Sequence, residues 1–128
     1  MPGYAGNGQA KLLNTNSQAM LFSGETLNTV PAASVAFQLS RPTSMYYPWG
    51  ASFEIWFSGN PGAFEVDVQT ADIDADMHYC TISALNSGAA LNANYVGRIE
   101  LPNFWAKFVR VYVKTLTNSV LVYAMVTR

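Results

Sequence analysis

Charge is what this chain has least of. Asp, Glu, Lys and Arg make up 12% of its 128 residues, about half the share of an ordinary soluble domain. The charges also nearly cancel, with seven basic against eight acidic side chains and a net charge of -1. Proteins that track a phosphate backbone or an anionic bilayer concentrate basic residues on one side. Here Arg41, Arg98, Lys107, Arg110 and Lys114 are dispersed and read as a solvated face, so nucleic acid and membrane are poor partners. Cysteine is nearly missing as well: Cys80 is the only one, which excludes a domain cross-linked by its own disulfides. The single histidine, His78, leaves a catalytic triad or a two-imidazole metal site little to recruit. The most apolar tail, Val120 to Val126, falls far short of the roughly 18 residues of a spanning helix. The start, Met1-Pro2-Gly3-Tyr4-Ala5-Gly6-Asn7-Gly8, lacks the basic and apolar regions of a secretory signal. Soluble folding in a cytoplasm is the expectation.

What the chain does have is alternation. At this length one domain with one core is expected. Residues 1–17, rich in Gly and Asn with no apolar period, predict an extended arm ahead of a body at 18–128. Phe53, Ile55 and Phe57 alternate with Glu54 and Trp56; Phe64, Val66 and Val68 alternate with Glu65, Asp67 and Gln69. That period of two belongs to half-buried strands. Ser58-Gly59-Asn60-Pro61-Gly62 between them predicts a hairpin turn. Val109, Val111 and Val113, then Val120, Val122, Ala124 and Val126, repeat the pattern around Thr117-Asn118-Ser119, a second predicted hairpin. Weaker strands are expected at Gln18 to Phe22, Ser34 to Ser40, Met77 to Ser83 and Asn94 to Glu100. About eight strands with almost no helix predict an all-β antiparallel sandwich. Jelly roll is preferred to an immunoglobulin-like domain because the Cys, Trp, Cys pattern is missing.

Few residues form a chemical constellation. His78 and Cys80 share a strand face with Asp76 and Ile82, and nothing nearby would lower the thiol pKa, so Cys80 reads as an ordinary buried cysteine and His78 as a strand residue. Asp72, Asp74 and Asp76 alternate as a calcium loop begins, but Met77 and Ser83 stand where that loop needs glycine and glutamate. A solvated connection with Asp side chains capping local amides is expected instead, a weak cation shared between subunits being the alternative. Glu54, Glu65 and Asp67 read as solvated rather than as paired catalytic carboxylates. No catalytic, cofactor or metal residue is assigned, and no enzyme is expected. Aromatics are the strongest signal. Tyr46, Tyr47 and Trp49 in a Pro- and Gly-bounded loop, with Tyr4 in the arm and Trp105, are the candidate interface residues, since large rings with a polar handle suit interfaces. The same loop could cap one end of the body, or stack on sugar.

The stretch Phe53-Glu54-Ile55-Trp56-Phe57-Ser58-Gly59-Asn60-Pro61-Gly62-Ala63-Phe64-Glu65-Val66-Asp67-Val68-Gln69, with Phe108-Val109-Arg110-Val111 and Thr117-Asn118-Ser119, resembles small structural proteins of tailed-bacteriophage virions. It is similar to the decoration, or cement, proteins that clamp an expanded capsid lattice. The resemblance implies a jelly-roll or sandwich body working as a dimer or trimer, the major capsid protein as partner, a place on the capsid exterior after synthesis in the host cytoplasm, and no catalytic residues or cofactor. A tail, fibre or receptor-binding module that holds carbohydrate through Tyr46, Tyr47 and Trp49 is the other expectation. The outward strand positions fit being covered: many carry Thr, Ser, Asn, Gln, Tyr or Trp where a free domain places Lys and Glu, and interface centres are depleted in charge.

Overall fold

A computed structural model of the chain describes residues 10–41 and 50–128. It is all-β: ten strand segments and one short 3-10 turn among the described residues. The strands are β1 (Lys11–Leu13), β2 (Gln18–Thr26), β3 (Ala32–Ala33), β4 (Phe37–Leu39), β5 (Gly50–Phe57), β6 (Phe64–Ala71), β7 (Cys80–Asn86), β8 (Val96–Pro102), β9 (Phe108–Leu116) and β10 (Leu121–Thr127). They form two sheets. One runs β1-β4-β9-β6-β7, with β3 also against β9; the other runs β2-β10-β5-β8. Every pairing is antiparallel except β1 with β4.

The alternation read from the sequence sets which side of each strand is inside. In β5, Ala51, Phe53, Ile55 and Phe57 are buried while the residues between them are half-buried. In β10 the same holds for Val122, Ala124 and Val126. These side chains meet Phe64, Val66 and Val68 of β6 and Val109, Val111 and Val113 of β9 in one apolar cluster shared by both sheets. Each such side chain taken from water contributes roughly 1.5–3 kcal/mol before chain entropy is counted. Phe57, Phe64 and Tyr95 form its aromatic end, with ring centroids 4.7 to 6.4 Å apart.

Both predicted hairpins are corrected. β5 and β6 lie in different sheets, as do β9 and β10, so each turn carries the chain across the core instead of back along its neighbour. Turn residues specify that a chain reverses; they do not specify whether its two arms pair. The two corners instead join each other. Asn118 donates its backbone N–H to the Pro61 carbonyl at 3.1 Å and its side-chain amide to the Asn60 carbonyl at 3.0 Å. Thr117 donates from its N–H and hydroxyl to the Ala63 carbonyl. Gly62 sits at φ +71°, and a Cβ there would press on the Asn118 amide at 3.1 Å, so the turn needs glycine for both shape and space. The connection that does form a hairpin is β6 to β7, through residues 72–79.

Other boundaries move. Of the expected arm, residues 1–9 lie outside the described residues, but Lys11–Leu13 is a strand with Leu13 in the core. Leu12-Leu13 supplies apolar surface that a purely polar arm would lack. The last residue fastens this strand: Arg128 donates from Nη1 to the Leu13 carbonyl (2.6 Å) and from Nη2 to the Ser40 carbonyl (2.8 Å). The strand expected from Met77 begins at Cys80, because Asp76–His78 forms the 3-10 turn. The Ser34 to Ser40 strand narrows to Phe37–Leu39. Two short segments, β1 and β3, were not expected from the period; two or three residues are too few to display one.

Candidate functional site

The outward face of β6 and β9 carries the most unusual arrangement. Because Val109, Val111 and Val113 point inward, Arg110, Tyr112 and Lys114 point out, and Glu65, Asp67 and Gln69 of β6 meet them there. Solvated side chains are expected at such positions, yet Arg110 is 4% exposed, Asp67 5% and Gln69 8%. Arg110 is covered by the 72–79 connection, folded back over the sheet. Its Asp76 accepts from Arg110 Nη1 at 2.7 Å, and its Tyr79 ring lies 3.9 Å from the Arg110 guanidinium carbon, a stacking geometry that favours a cation on an aromatic face. Asp74, itself buried, accepts from the Tyr79 hydroxyl at 2.8 Å.

From Arg110 a run of hydrogen bonds links three strands, from β9 to β6 to β7 and back to β6. Arg110 Nε donates to Gln69 Oε1 (2.8 Å), Gln69 Nε2 donates to Thr81 Oγ1 (3.3 Å), and the Thr81 hydroxyl donates to Asp67 Oδ2 (3.1 Å). A guanidinium at one end and a carboxylate at the other polarise every neutral link between them. Asp67 Oδ1 and Asp74 Oδ2 are buried without a partner. Burial, opposed by the Thr81 hydrogen bond and reinforced by the charge of Glu65, raises the Asp67 pKa above the usual aspartate range.

That direction sets a pH dependence. A carboxyl whose folded pKa exceeds its unfolded one binds more protons when folded, so its contribution to stability declines as pH rises through the interval between the two. The Asp67→Asn variant is expected to lack this decline. Denaturant melts across acidic to neutral pH should show the wild type losing stability relative to the variant as the pH climbs out of the ordinary aspartate range. Parallel curves would contradict the assignment.

Several sequence readings change here. Arg110 and Asp67 belong to a buried network, not a solvated face. Asp74 and Asp76 bond Tyr79 and Arg110 rather than local amides, while Asp72 is exposed. Cys80 is exposed, not buried, because it opens a sheet-edge strand. His78 is exposed in the 3-10 turn. No group of three or more His, Cys, Asp or Glu residues able to hold a metal ion occurs among the described residues.

Of the candidate interface aromatics, Tyr4, Tyr46, Tyr47 and Trp49 lie outside the described residues. Trp105 is half-buried against the core. Its indole N–H donates to the carbonyls of Ser40 (3.0 Å) and Leu39 (3.3 Å), and the Arg41 guanidinium lies 4.6 Å from its ring centroid. Much of its bonding capacity is thus spent inside the body.

The structure adds an aromatic pair the sequence reading left unmarked. On the outer face of the β2-β10-β5-β8 sheet, Trp56 and Tyr123 stand opposite in register and stack with centroids 5.2 Å apart and planes 5° from parallel. Gly24 leaves room for them: a Cβ there would meet the Tyr123 hydroxyl at 2.9 Å. Val96, opposite Trp56 on β8, is 65% exposed. Below this row Arg98 contacts Glu54 at 3.3 Å and Glu100 at 3.7 Å, so the charges of this face are paired among themselves. The outward step of Trp56 in the β5 alternation was the available signal; the pairing of β5 with β10 was needed to bring Tyr123 beside it. A shallow groove of about 380 Å³ runs between the start of β5, the end of β8 and Arg128.

No protein-family model matches the chain, and neither a curated protein nor a solved structure does. No helix among the described residues is long and apolar enough to cross a membrane.

Proposed function

We propose that the protein is a non-enzymatic structural component of a tailed-phage virion, a decoration protein whose jelly-roll body self-associates and binds the major capsid protein lattice on the capsid exterior. The observation that carries this reading is the strand order. From β4 onward, β6 and β7 are the only strands consecutive in sequence that share a sheet among the described residues. We read the orders β2-β10-β5-β8 and β4-β9-β6-β7 as an eight-stranded double Greek key, with β1 and β3 as additions; the orders support that reading. Jelly rolls of this kind are a common building unit of viral capsids.

A fold alone hosts many activities, so the surface must supply the rest. The outer face of the β2-β10-β5-β8 sheet combines Trp56, Tyr123 and exposed Val96 with internally paired charges, a composition suited to being covered. Most polar groups on the opposite sheet bond one another, Asp67 Oδ1 and Asp74 Oδ2 excepted, which favours a rigid scaffold over a reaction centre. Repetition over a symmetric shell lets modest contacts add through effective concentration.

Expanded shells of the phage that encodes the chain, lacking the protein, provide the test. Purified protein is expected to bind them saturably at micromolar concentration and to leave unexpanded shells bare. No saturable, lattice-dependent binding would overturn the proposal.

A further inference from the structure

We infer that β7 is a self-association edge: two copies of this chain pair their β7 strands antiparallel about a two-fold axis, making one continuous sheet of their two larger sheets. The inference rests on the self-association part of the proposed function and names the surface that performs it.

A sheet edge exposes unpaired backbone N–H and C=O groups, and free domains guard such edges with charge, proline, shortness or irregularity. Three of the four terminal strands here are guarded. β1 is three residues long, carries Lys11 and has its Leu13 carbonyl capped by Arg128. β2 holds Glu25, Gly24 at φ +76° and two register shifts against β10. β8 carries Arg98, Glu100 and Pro102. β7 carries one register shift against β6, at Ile82, and none of the other protections. Its seven residues, Cys80-Thr81-Ile82-Ser83-Ala84-Leu85-Asn86, include no charged residue and no proline. Among the described residues its second side pairs with no strand.

The occupant follows from charge. Antiparallel pairing about a two-fold axis sets each strand against itself, so any charged residue near the axis would face its own like charge. A strand with no charge meets its copy without that cost, while nothing on it attracts a charged partner peptide. Apolar surface is already exposed along the same edge and the adjoining connection: Ile82 is 43% exposed, Ile73 52% and Met77 87%. Pairing would extend the sheet and give these side chains a neighbour.

The full-length chain tests this by sedimentation velocity and native mass spectrometry at micromolar concentration, with hydrogen exchange as a second readout. The wild type is expected as a dimer, with β7 amides exchanging more slowly as concentration rises. Ala84→Lys and Ile82→Lys, both at exposed positions, are each expected to weaken the dimer about tenfold by opposing like charges across the axis, with unchanged circular dichroism. A monomeric wild type, or an oligomer untouched by both substitutions, would overturn the inference. Shells that fail to bind a wild type shown to dimerise through β7 would sink the virion reading and leave this one standing.

Discussion

Phe64→Ala should cost about 3–5 kcal/mol of folding stability, the range for truncating a fully buried phenylalanine. Phe64 is 1% exposed and holds the aromatic end of the core together. Its ring centroid lies 5.1 Å from that of Phe57 and 4.7 Å from that of Tyr95, tilted 57° and 56° to them, so alanine would remove two tilted ring contacts as well as the buried area. The position also begins β6 directly after the corner that carries the chain between sheets. Its backbone is fixed at both polar atoms by Ser87, whose Oγ accepts the Phe64 N–H at 3.0 Å and whose N–H donates to the Phe64 carbonyl at 3.1 Å. Those bonds keep the strand from sliding to refill the space, which places the cost toward the upper end of the range. Against a typical domain stability of about 5–15 kcal/mol, the melting temperature should fall by roughly 10–20 °C. Val96→Ala, at a 65% exposed position, should move stability by no more than about 0.5 kcal/mol. Equal effects at the two sites would contradict the placement of the core.

Arg110→Ala should cost about 2–4 kcal/mol, for a different reason. The guanidinium is buried, and its loss strands the Gln69 carbonyl oxygen, which has no route to water at 8% residue exposure. Leaving a buried polar group unpaired forfeits its desolvation penalty in full. Breaking a wholly buried ion pair costs about 3–5 kcal/mol; Asp76 here retains 48% side-chain exposure and can rehydrate, which lowers the figure. Losing the stacking surface for Tyr79 frees the 72–79 connection, so its amides should exchange faster while those of β5 and β10 hold. Arg110→Lys keeps the charge but cannot bond Gln69 and Asp76 with one rigid fork, and should recover less than half the loss. An Arg110→Ala protein with wild-type stability and unchanged exchange at residues 72–79 would show that the network does not hold the connection down.

These two residues mark how far the sequence could be read. Phe64 was legible: its place in a period-two run with Val66 and Val68 sends it inward, and the core follows from repeating that step along β5, β9 and β10. Arg110 was half legible. The same period puts it on the outer face, correctly, but a strand's alternation says nothing of what lies above the sheet. Its burial depends on a connection folding back over β6 and β9, and Asp72-Ile73-Asp74-Ala75-Asp76 carries no local signal of that docking. Long-range pairing is the common cause of the other departures. Ser58 to Gly62 and Thr117 to Ser119 are turns in sequence and structure alike, yet only the whole strand order reveals them as corners between sheets. Cys80 looked like a core residue because free cysteines usually are; being first in an edge strand placed it outside. Trp56 lay at an outward step, but its partner Tyr123 stands 67 residues away and became visible only with the β5 to β10 register.

On the proposed reading, this low-charge all-β chain is built to be covered on a capsid lattice. The most direct measurement is the copy ratio on re-decorated particles: expanded shells lacking the protein are saturated with it, washed, and the ratio of bound chains to major capsid protein determined by quantitative mass spectrometry. The expected result is a plateau at a small fixed ratio set by lattice symmetry, unchanged by further excess of protein. A ratio that stays at zero, or climbs without limit as nonspecific adhesion does, would contradict it.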